Sequence, residues 1–446
     1  MANGILSIYS IISRIFSKNI HVEDSKKSKR PDKYTTGFNN TANDCFANST
    51  IQSLAPLWRL NEYFTAMINY PLPSEAIRYP MPLHLAMIDM LGTLQQPIHS
   101  NKTLSVWNLL HLLEQIHQGR ISRNQHDAHE LMVMIIDTLE DEYLKFFSFI
   151  SKLSEDMKKD VAKPPHFPFS SIVESKLRCM KCKQTSLPVK NPMMMLELIT
   201  PQISATSLEK MISNSRSEVI EGYSCLVCMV KVMILYQSKL TLTLEQTEFM
   251  SRMKEKLIAG ELLINEDYSE DPLYKGIISS NSILQDDNLK SVVFRETSFD
   301  VPPDIIPIHL SRSIFADTQS WRNACDVKFP NKIEFKSMTS LVPIVYKLKS
   351  LVRHKGTHSS GHYECYRKKP QFFKSEDGEY LDDIPKVTFK KEEQVTSELK
   401  NPKKKKKLGS VLSKPFWRVS DSKITEVSED SVLSDGKAAY MIIYER

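Results

Sequence analysis

Residues 353–366 read RHKGTHSSGHYECY. His354, His358 and His362 recur every fourth residue, a spacing that on a helix would set three imidazoles on one face and invite a metal ion. The glycines argue against the helix. Gly356 and Gly361 stand between the histidines with Thr and Ser, and the flanking runs PIVYKLKSLVRH (343–354) and HYECYRK (362–368) are strand-like. The segment is therefore read as a hairpin without a three-histidine metal site, and His354 and His358 default to structural roles. His362 differs. It follows Gly361, which permits close approach of another backbone or a ligand, and it opens a strand that would hold its ring in place.

Outward from this hairpin the second half of the chain continues as strands: DIIPIHLSRSIF (304–315), KIEF (332–335), FWRVSD (416–421) and AAYMIIYER (438–446). The first half reads as helices over 45–70, 82–118 and 124–147, the last with an acidic start. A strand over 171–178 enters CMKC, and VKVMILYQSKL (230–240) and LTLTL (240–244) also read as strands. Helices first and strands second argue an α+β fold, with a cleft between the two lobes as the natural place for a site. In that arrangement Cys45, at the start of the first helix, lies on the helical side and His362 on the strand side.

Composition narrows the classes. The chain has 446 residues, 41% hydrophobic, with a formal charge of +6 that comes largely from local lysine runs, so nucleic acid is not the expected partner. Seven cysteines, four of them in two CxxC pairs, fit a reducing compartment. Cys179 with Cys182 and Cys225 with Cys228 give two knuckles whose four thiolates suit a closed, structural zinc ion, each knuckle expected on its own hairpin. The N-terminus, MANGILSIYSIISRIFSKNI, places Ile5, Ile8, Ile12 and Ile15 on one side of a helix with Arg14 opposite. Residues 4–20 are read as a membrane-contacting or targeting segment, and 1–33 as anchor plus basic linker. The lysines 403–407 lie in an expected solvated insertion of about 368–415.

Five blocks in order resemble the ubiquitin-specific protease family of cysteine deubiquitinases. They are GFNNTANDCFANSTIQSL (37–54), QHDAHELMVMIIDTLED (125–141), the double CxxC, VPPDIIPIHLSR (301–312), and YKLKSLVRHKGTHSSGHYECYRK (346–368) followed by FWRVSDSKITEVS and AAYMIIYER. The resemblance implies a papain-like catalytic domain over 34–446, with a helical thumb, a β-rich palm and zinc-tied β fingers at about 170–300. It implies ubiquitin and ubiquitinated proteins as partners, Cys45 as nucleophile, His362 as general base and Asn40 as an oxyanion donor. The third triad position, usually Asp or Asn, is Ser420 here, with Asp421 next to it, and either is a candidate to orient the histidine. A serine there resembles the mitochondrial-outer-membrane branch, which with residues 4–20 suggests a cytosol-facing location on that membrane.

The chemistry explains the residue types. The helix macrodipole and a neighbouring imidazole are expected to lower the Cys45 thiol pKa. His362 takes the thiol proton and later gives it to the departing lysine amine. Two departures from the family pattern bear on rate. Asp44 replaces a neutral threonine beside the nucleophile and would raise the thiol pKa unless its carboxylate points away. Ala42 replaces a glycine, which narrows the backbone. The alternative reading is a catalytically weak ubiquitin-binding scaffold.

Overall fold

The computed structural model describes residues 30–41, 43–71, 79–121, 127–152, 162–285, 289–316, 319–335, 343–357, 360–376, 379–388 and 406–446. Residues 1–29, Ala42, His358 and the lysines 403–405 lie outside the described residues.

The first half is helical. Strand β1 (Gly37–Phe38) leads into α1 (Cys45–Leu54), then α2 (Trp58–Ile68), α3 (Pro82–Leu94), α4 (Trp107–His117) and α5 (Ala128–Ser151). All ten residues of α1 are buried, so it is the axis of this half rather than an amphipathic surface helix. Pro56 separates α1 from α2, because its ring cannot continue a helix. A buried carboxylate joins α3 to α5: Glu142 accepts from the backbone N–H of Leu83 and of His84 and meets His84 Nδ1 at 2.7 Å. It thereby answers donors at the first turn of α3 that the helix itself cannot satisfy.

Strands β2 (Ser171–Cys179), β3 (Val189–Met193), β4 (Leu196–Ile199), β5 (Ser217–Tyr223) and β6 (Ser291–Val301) follow. Four of them form a sheet in the order β3-β2-β6-β5. Between β5 and β6 lie α6 (Leu226–Leu235) and α7 (Leu244–Ala259). These correct the strand reading of 230–240 and 240–244. The run from Leu226 is apolar nearly all round, so it carries no periodicity to distinguish a buried helix from a strand. Thr243 begins a capping box with Gln246 that starts α7.

The strands of the second, larger sheet are β7 (Ile305–Ser311), β8 (Lys332–Phe335), β9 (Ile344–Gly356), β10 (Gly361–Lys368), β11 (Phe416–Ser420), β12 (Lys423–Val427) and β13 (Ala439–Glu445). With β4 they build an eight-stranded sheet in the order β12-β11-β10-β9-β13-β7-β4, with β8 also on β9. Its pairs are antiparallel except β4 with β7. Alternation sorts the two faces. Ile305, Val352, Met441 and Ile443 pack into the helical core, while Ile306, Leu351, Ile442 and Tyr444 pack into a second core on the far side. The expected hairpin at 353–366 is present, with Gly356 paired to Gly361. Both glycines are sterically required. A side chain at Gly361 would collide with the His354 ring and the Lys355 carbonyl, and Gly356 sits at φ 145° against Ser360.

The cytosol-facing mitochondrial outer-membrane location and the membrane contact expected from residues 4–20 are withdrawn. Among the described residues no helix is long and apolar enough to cross a membrane, and the stretch that suggested the location is not among them.

Arg367, on β10, fastens the two halves. It is buried, and its guanidinium donates to Thr35 Oγ1 (3.0 Å), Gln52 Oε1 (3.2 Å) and the Leu94 carbonyl (3.0 Å). Replacing Arg367 with Met keeps the volume but strands those three acceptors. It is expected to lower unfolding stability by about 2–4 kcal/mol in a urea titration; a loss within experimental error would deny the guanidinium this fastening role.

Candidate active site

Cys45 is the first residue of α1 and is 4% exposed. Its sulfur receives the backbone N–H of Tyr363, on β10, so helix and sheet meet at this atom. The thiol is not lowered as the macrodipole argument expects. Burial raises it above its ordinary value, the Asp421 carboxylate raises it further, and the Tyr363 N–H opposes both without winning.

Asp44 is turned away from the sulfur. Its Oδ2 accepts from Thr41 N (3.0 Å), Thr41 Oγ1 (3.1 Å) and Trp107 Nε1 (3.2 Å). The carboxylate is spent in tying the loop before α1, with Asn43 at φ 63°, onto α4. The charge that acts on Cys45 is that of Asp421.

Asp421 lies in the two-residue turn between β11 and β12, with Ser420 paired to Lys423 and Asp421 itself at φ 51°. A left-handed backbone at the first turn position is what a tight hairpin of this length demands. The turn is bolted down from β1. Phe38 N–H donates to the Asp421 carbonyl at 3.1 Å, and a Cβ on Gly37 would come within 2.6 Å of that same oxygen. The Asp421 carboxylate accepts from Asn40 Nδ2 (2.9 Å) and Asn48 Nδ2 (2.8 Å). The Asn40 side chain is held at its other end too, since its Oδ1 accepts from Asp44 N at 3.0 Å.

His362 opens β10. Its Nε2 lies 2.9 Å from Ser420 Oγ and 3.9 Å from Asp421 Oδ2. The Ser420 hydroxyl is also hydrogen-bonded to the Glu364 carboxylate. Glu364 is buried, accepts from Arg418 Nη2 (2.9 Å to each oxygen) and Nε (3.2 Å), and lies 3.4 Å from Arg353 Nε. Burial pushes the Glu364 carboxyl up, but Arg418, Arg353 and Ser420 hold it below its ordinary value.

All five residues expected at the site, Cys45, His362, Asn40, Ser420 and Asp421, therefore converge on the junction of α1, β10 and the β11–β12 turn. Sequence reading missed Asn48, Trp107 and Glu364. Asn48 sits three residues along the helix from Cys45, and Glu364 two residues along the strand from His362. Each shares a face with its neighbour, a signal that helical and strand periodicity supply. His354 is buried beneath the site, its ring 4.4 Å from that of Tyr363.

A second cluster lies in the sheet that carries β2. The sulfurs of Cys179, Cys182, Cys225 and Cys228 all fall within 4.8 Å of one another, with Cys179–Cys228 at 3.6 Å and Cys182–Cys225 at 3.8 Å. None is in a disulfide. Four thiolates at ~2.3 Å from a tetrahedral ion stand about 3.8 Å apart, so the donor set fits zinc. The first knuckle turns at the end of β2, with backbone N–H groups of Cys182 and Lys181 directed at the Cys179 sulfur. The second is not on a hairpin: Cys225 is the N-cap of α6.

Comparison with known proteins matches residues 36–444 to the family described as ubiquitin carboxyl-terminal hydrolase. The chain is 30% identical over 465 residues to ubiquitin carboxyl-terminal hydrolase 16 of Saccharomyces cerevisiae, covering 95% of this chain and 91% of that protein. It is 27% identical over 414 residues to ubiquitin carboxyl-terminal hydrolase 16 of Emericella nidulans, covering 79% and 65% respectively. Among solved structures it is similar to the SAGA Ubp8/Sgf11/Sus1/Sgf73 DUB module bound to ubiquitin aldehyde. There the TM-score is 0.53 at 16% identity, over 100% of this chain and 75% of that one.

Because burial and Asp421 both raise the Cys45 thiol, the thiolate fraction of the free protein should keep growing as pH rises. Iodoacetamide alkylation of Cys45, followed by mass spectrometry, is expected to accelerate up to at least about pH 9, above the ordinary thiol range near 8.5. A rate already flat at neutral pH would instead mean that a thiolate–imidazolium pair exists before substrate binds.

Proposed function

The chain belongs to the ubiquitin carboxyl-terminal hydrolase family and is a thiol-dependent deubiquitinase; we propose that Cys45 is its nucleophile, activated by His362. The observation that carries this assignment is the meeting of the Cys45 sulfur with β10 at Tyr363, next to a histidine whose Nε2 lies 2.9 Å from Ser420 Oγ.

The polar contacts suggest how each group acts. The Ser420 hydroxyl donates to Glu364, which leaves its oxygen to accept from His362 Nε2–H. That fixes the tautomer in which Nδ1 keeps its lone pair for the thiol proton. Ser420 is thus the group that orients the ring, and Glu364 supplies the negative charge one step behind it. Asp421 holds Asn40 and Asn48 and adds a long-range attraction for imidazolium. The thiolate attacks the carbonyl of the ubiquitin C-terminal glycine. The oxyanion is met by the free N–H of the Asn40 amide and by backbone N–H at the head of α1. Collapse expels the lysine amine, which takes the proton from His362. A thioester remains, and water, deprotonated by the same imidazole, releases the ubiquitin carboxylate. Cys179, Cys182, Cys225 and Cys228 would hold a structural zinc ion that ties the fingers together, and with four thiolates as its ligands it would take no part in catalysis.

Ubiquitin carrying a C-terminal electrophile tests the assignment. Covalent capture is expected for wild type, none for Cys45→Ala, and slow capture for His362→Ala. Capture by Cys45→Ala would point to another nucleophile, and non-covalent binding without capture by wild type would favour the scaffold reading.

In steady-state hydrolysis of a ubiquitin amide, Asn40→Ala is expected to lower kcat by roughly 10²–10³. Ser420→Ala is expected to lower it by about 10-fold or more, since it removes the hydrogen bond to the imidazole that becomes charged in the transition state. Glu364→Gln, which keeps an acceptor for the Ser420 hydroxyl and removes a charge already screened by Arg418 and Arg353, is expected to lower it less. An unchanged kcat in Ser420→Ala would hand the orienting role to Asp421.

A further inference from the structure

Away from the nucleophile, where α5 meets the strands β4 and β7, three ligand-type side chains face one another. His129 lies in the first turn of α5, Glu197 on β4 and His309 on β7. Glu197 and His309 are direct partners across the parallel β4–β7 pairing. His129 Nε2 lies 3.1 Å from Glu197 Oε1, and the rings of His129 and His309 stack at 3.8 Å. One ligand atom from each of the three lies within 4.8 Å of the other two.

The cluster's hydrogen bonding is incomplete. His309 is 8% exposed, and both of its ring nitrogens are buried with no hydrogen-bond partner among the described residues. A buried imidazole without a partner on either side is costly, and such a group calls for an explanation. Tyr440 covers one side of the ring edge-on and provides no hydrogen bond to it. The opposite side of the cluster opens to water through Glu197, whose side chain is 62% exposed. An ion therefore has a way in.

We propose that His129, Glu197 and His309 form a second metal site, one that binds a divalent transition ion of the zinc and cobalt kind. Two neutral imidazoles and a carboxylate are the donors such ions prefer, whereas magnesium and calcium select oxygen. The two rings lie nearly parallel, at 13°, so one of them rotates to bring its lone pair in line with an ion shared by both. His129 is the one free to do so, being at the helix start and only partly buried. In turning it exchanges its bond to Glu197 for a shared ion. With three protein ligands the ion keeps a water.

Binding here joins α5 directly to two strands of the palm. The same end of α5 is already tied to the sheet by Asp127, which caps the helix through the His129 N–H and accepts from the Tyr440 hydroxyl. The ion adds a second link at that joint, so it binds the folded chain and not the unfolded one and raises thermal stability.

The test is addition of cobalt(II) to the zinc-loaded full chain, read by visible absorption and by thermal unfolding. Expected are the weak d–d bands of nitrogen and oxygen ligation without thiolate-to-cobalt charge transfer, and a rise in Tm. Both should be lost in His309→Ala and in His129→Gln. The second variant guards against loss of folding in the first, because His129 is at the more accessible position. Absence of d–d bands in wild type overturns the proposal, as do bands and a Tm rise that survive unchanged in both variants. Thiolate charge-transfer bands as the whole signal would place the cobalt at the cysteines and overturn it equally.

Discussion

The site depends on a cation that never touches it. Arg367 and His362 are on one strand, and Gln52 and Cys45 are on one helix. The buried guanidinium donates to Gln52, to Thr35 in the segment before β1, and to the carbonyl that ends α3. Burial lowers its pKa to about 10, still far above neutrality, so it remains charged and its donors remain committed. The same strand reaches Cys45 through the Tyr363 N–H, and Ser350 on the neighbouring strand donates to the Ser53 carbonyl at 2.7 Å. Helix and sheet are thus clamped along the whole of α1. A clamp of this kind matters for catalysis because sulfur and imidazole must meet within a fraction of an ångström, and two independently packed layers would not ensure that.

Much of this was legible in the chain. The glycines at 356 and 361 forbid a helix through the three histidines, and each is filled against by a neighbour in the structure. The polar run before Cys45 announces a helix start, and two CxxC pairs announce four convergent sulfurs. What was hidden has a common physical cause: it depends on partners far away in the chain. Asp44 looked hazardous beside a nucleophile. Trp107, 63 residues on, and Thr41 turn its carboxylate away. The helix Leu226–Leu235 looked like a strand because a segment apolar nearly all round shows no period, although only part of it is buried. The thiol was expected to be acidic from the helix alone. Its burial under β10 is a tertiary fact that local sequence does not carry.

The serine at position 420 changes how charge is distributed around the histidine. A carboxylate in direct contact with imidazole stabilises imidazolium strongly. Here the contact is neutral, and the negative charge stands behind it on Glu364, itself bound by Arg418 and close to Arg353. Two guanidiniums so close keep that carboxylate ionised and fixed, yet they also cancel much of the field it would exert on the ring. On the proposed mechanism Ser420 therefore serves geometry more than electrostatics: it holds the tautomer, and the charge behind it is screened at its source.

Asp421 is the carboxylate whose charge reaches the Cys45 sulfur. It raises the thiol, which disfavours the thiolate, and its Oδ2 lies 3.9 Å from His362 Nε2. The free site is thereby biased toward the neutral thiol, and it is held in register by the Arg367 clamp. On the proposed mechanism the negative charge moves from sulfur to an oxyanion at Asn40, which Asp421 holds at 2.9 Å, so the carboxylate opposes the charge there as well and the Asn40 and backbone N–H donors must outweigh it.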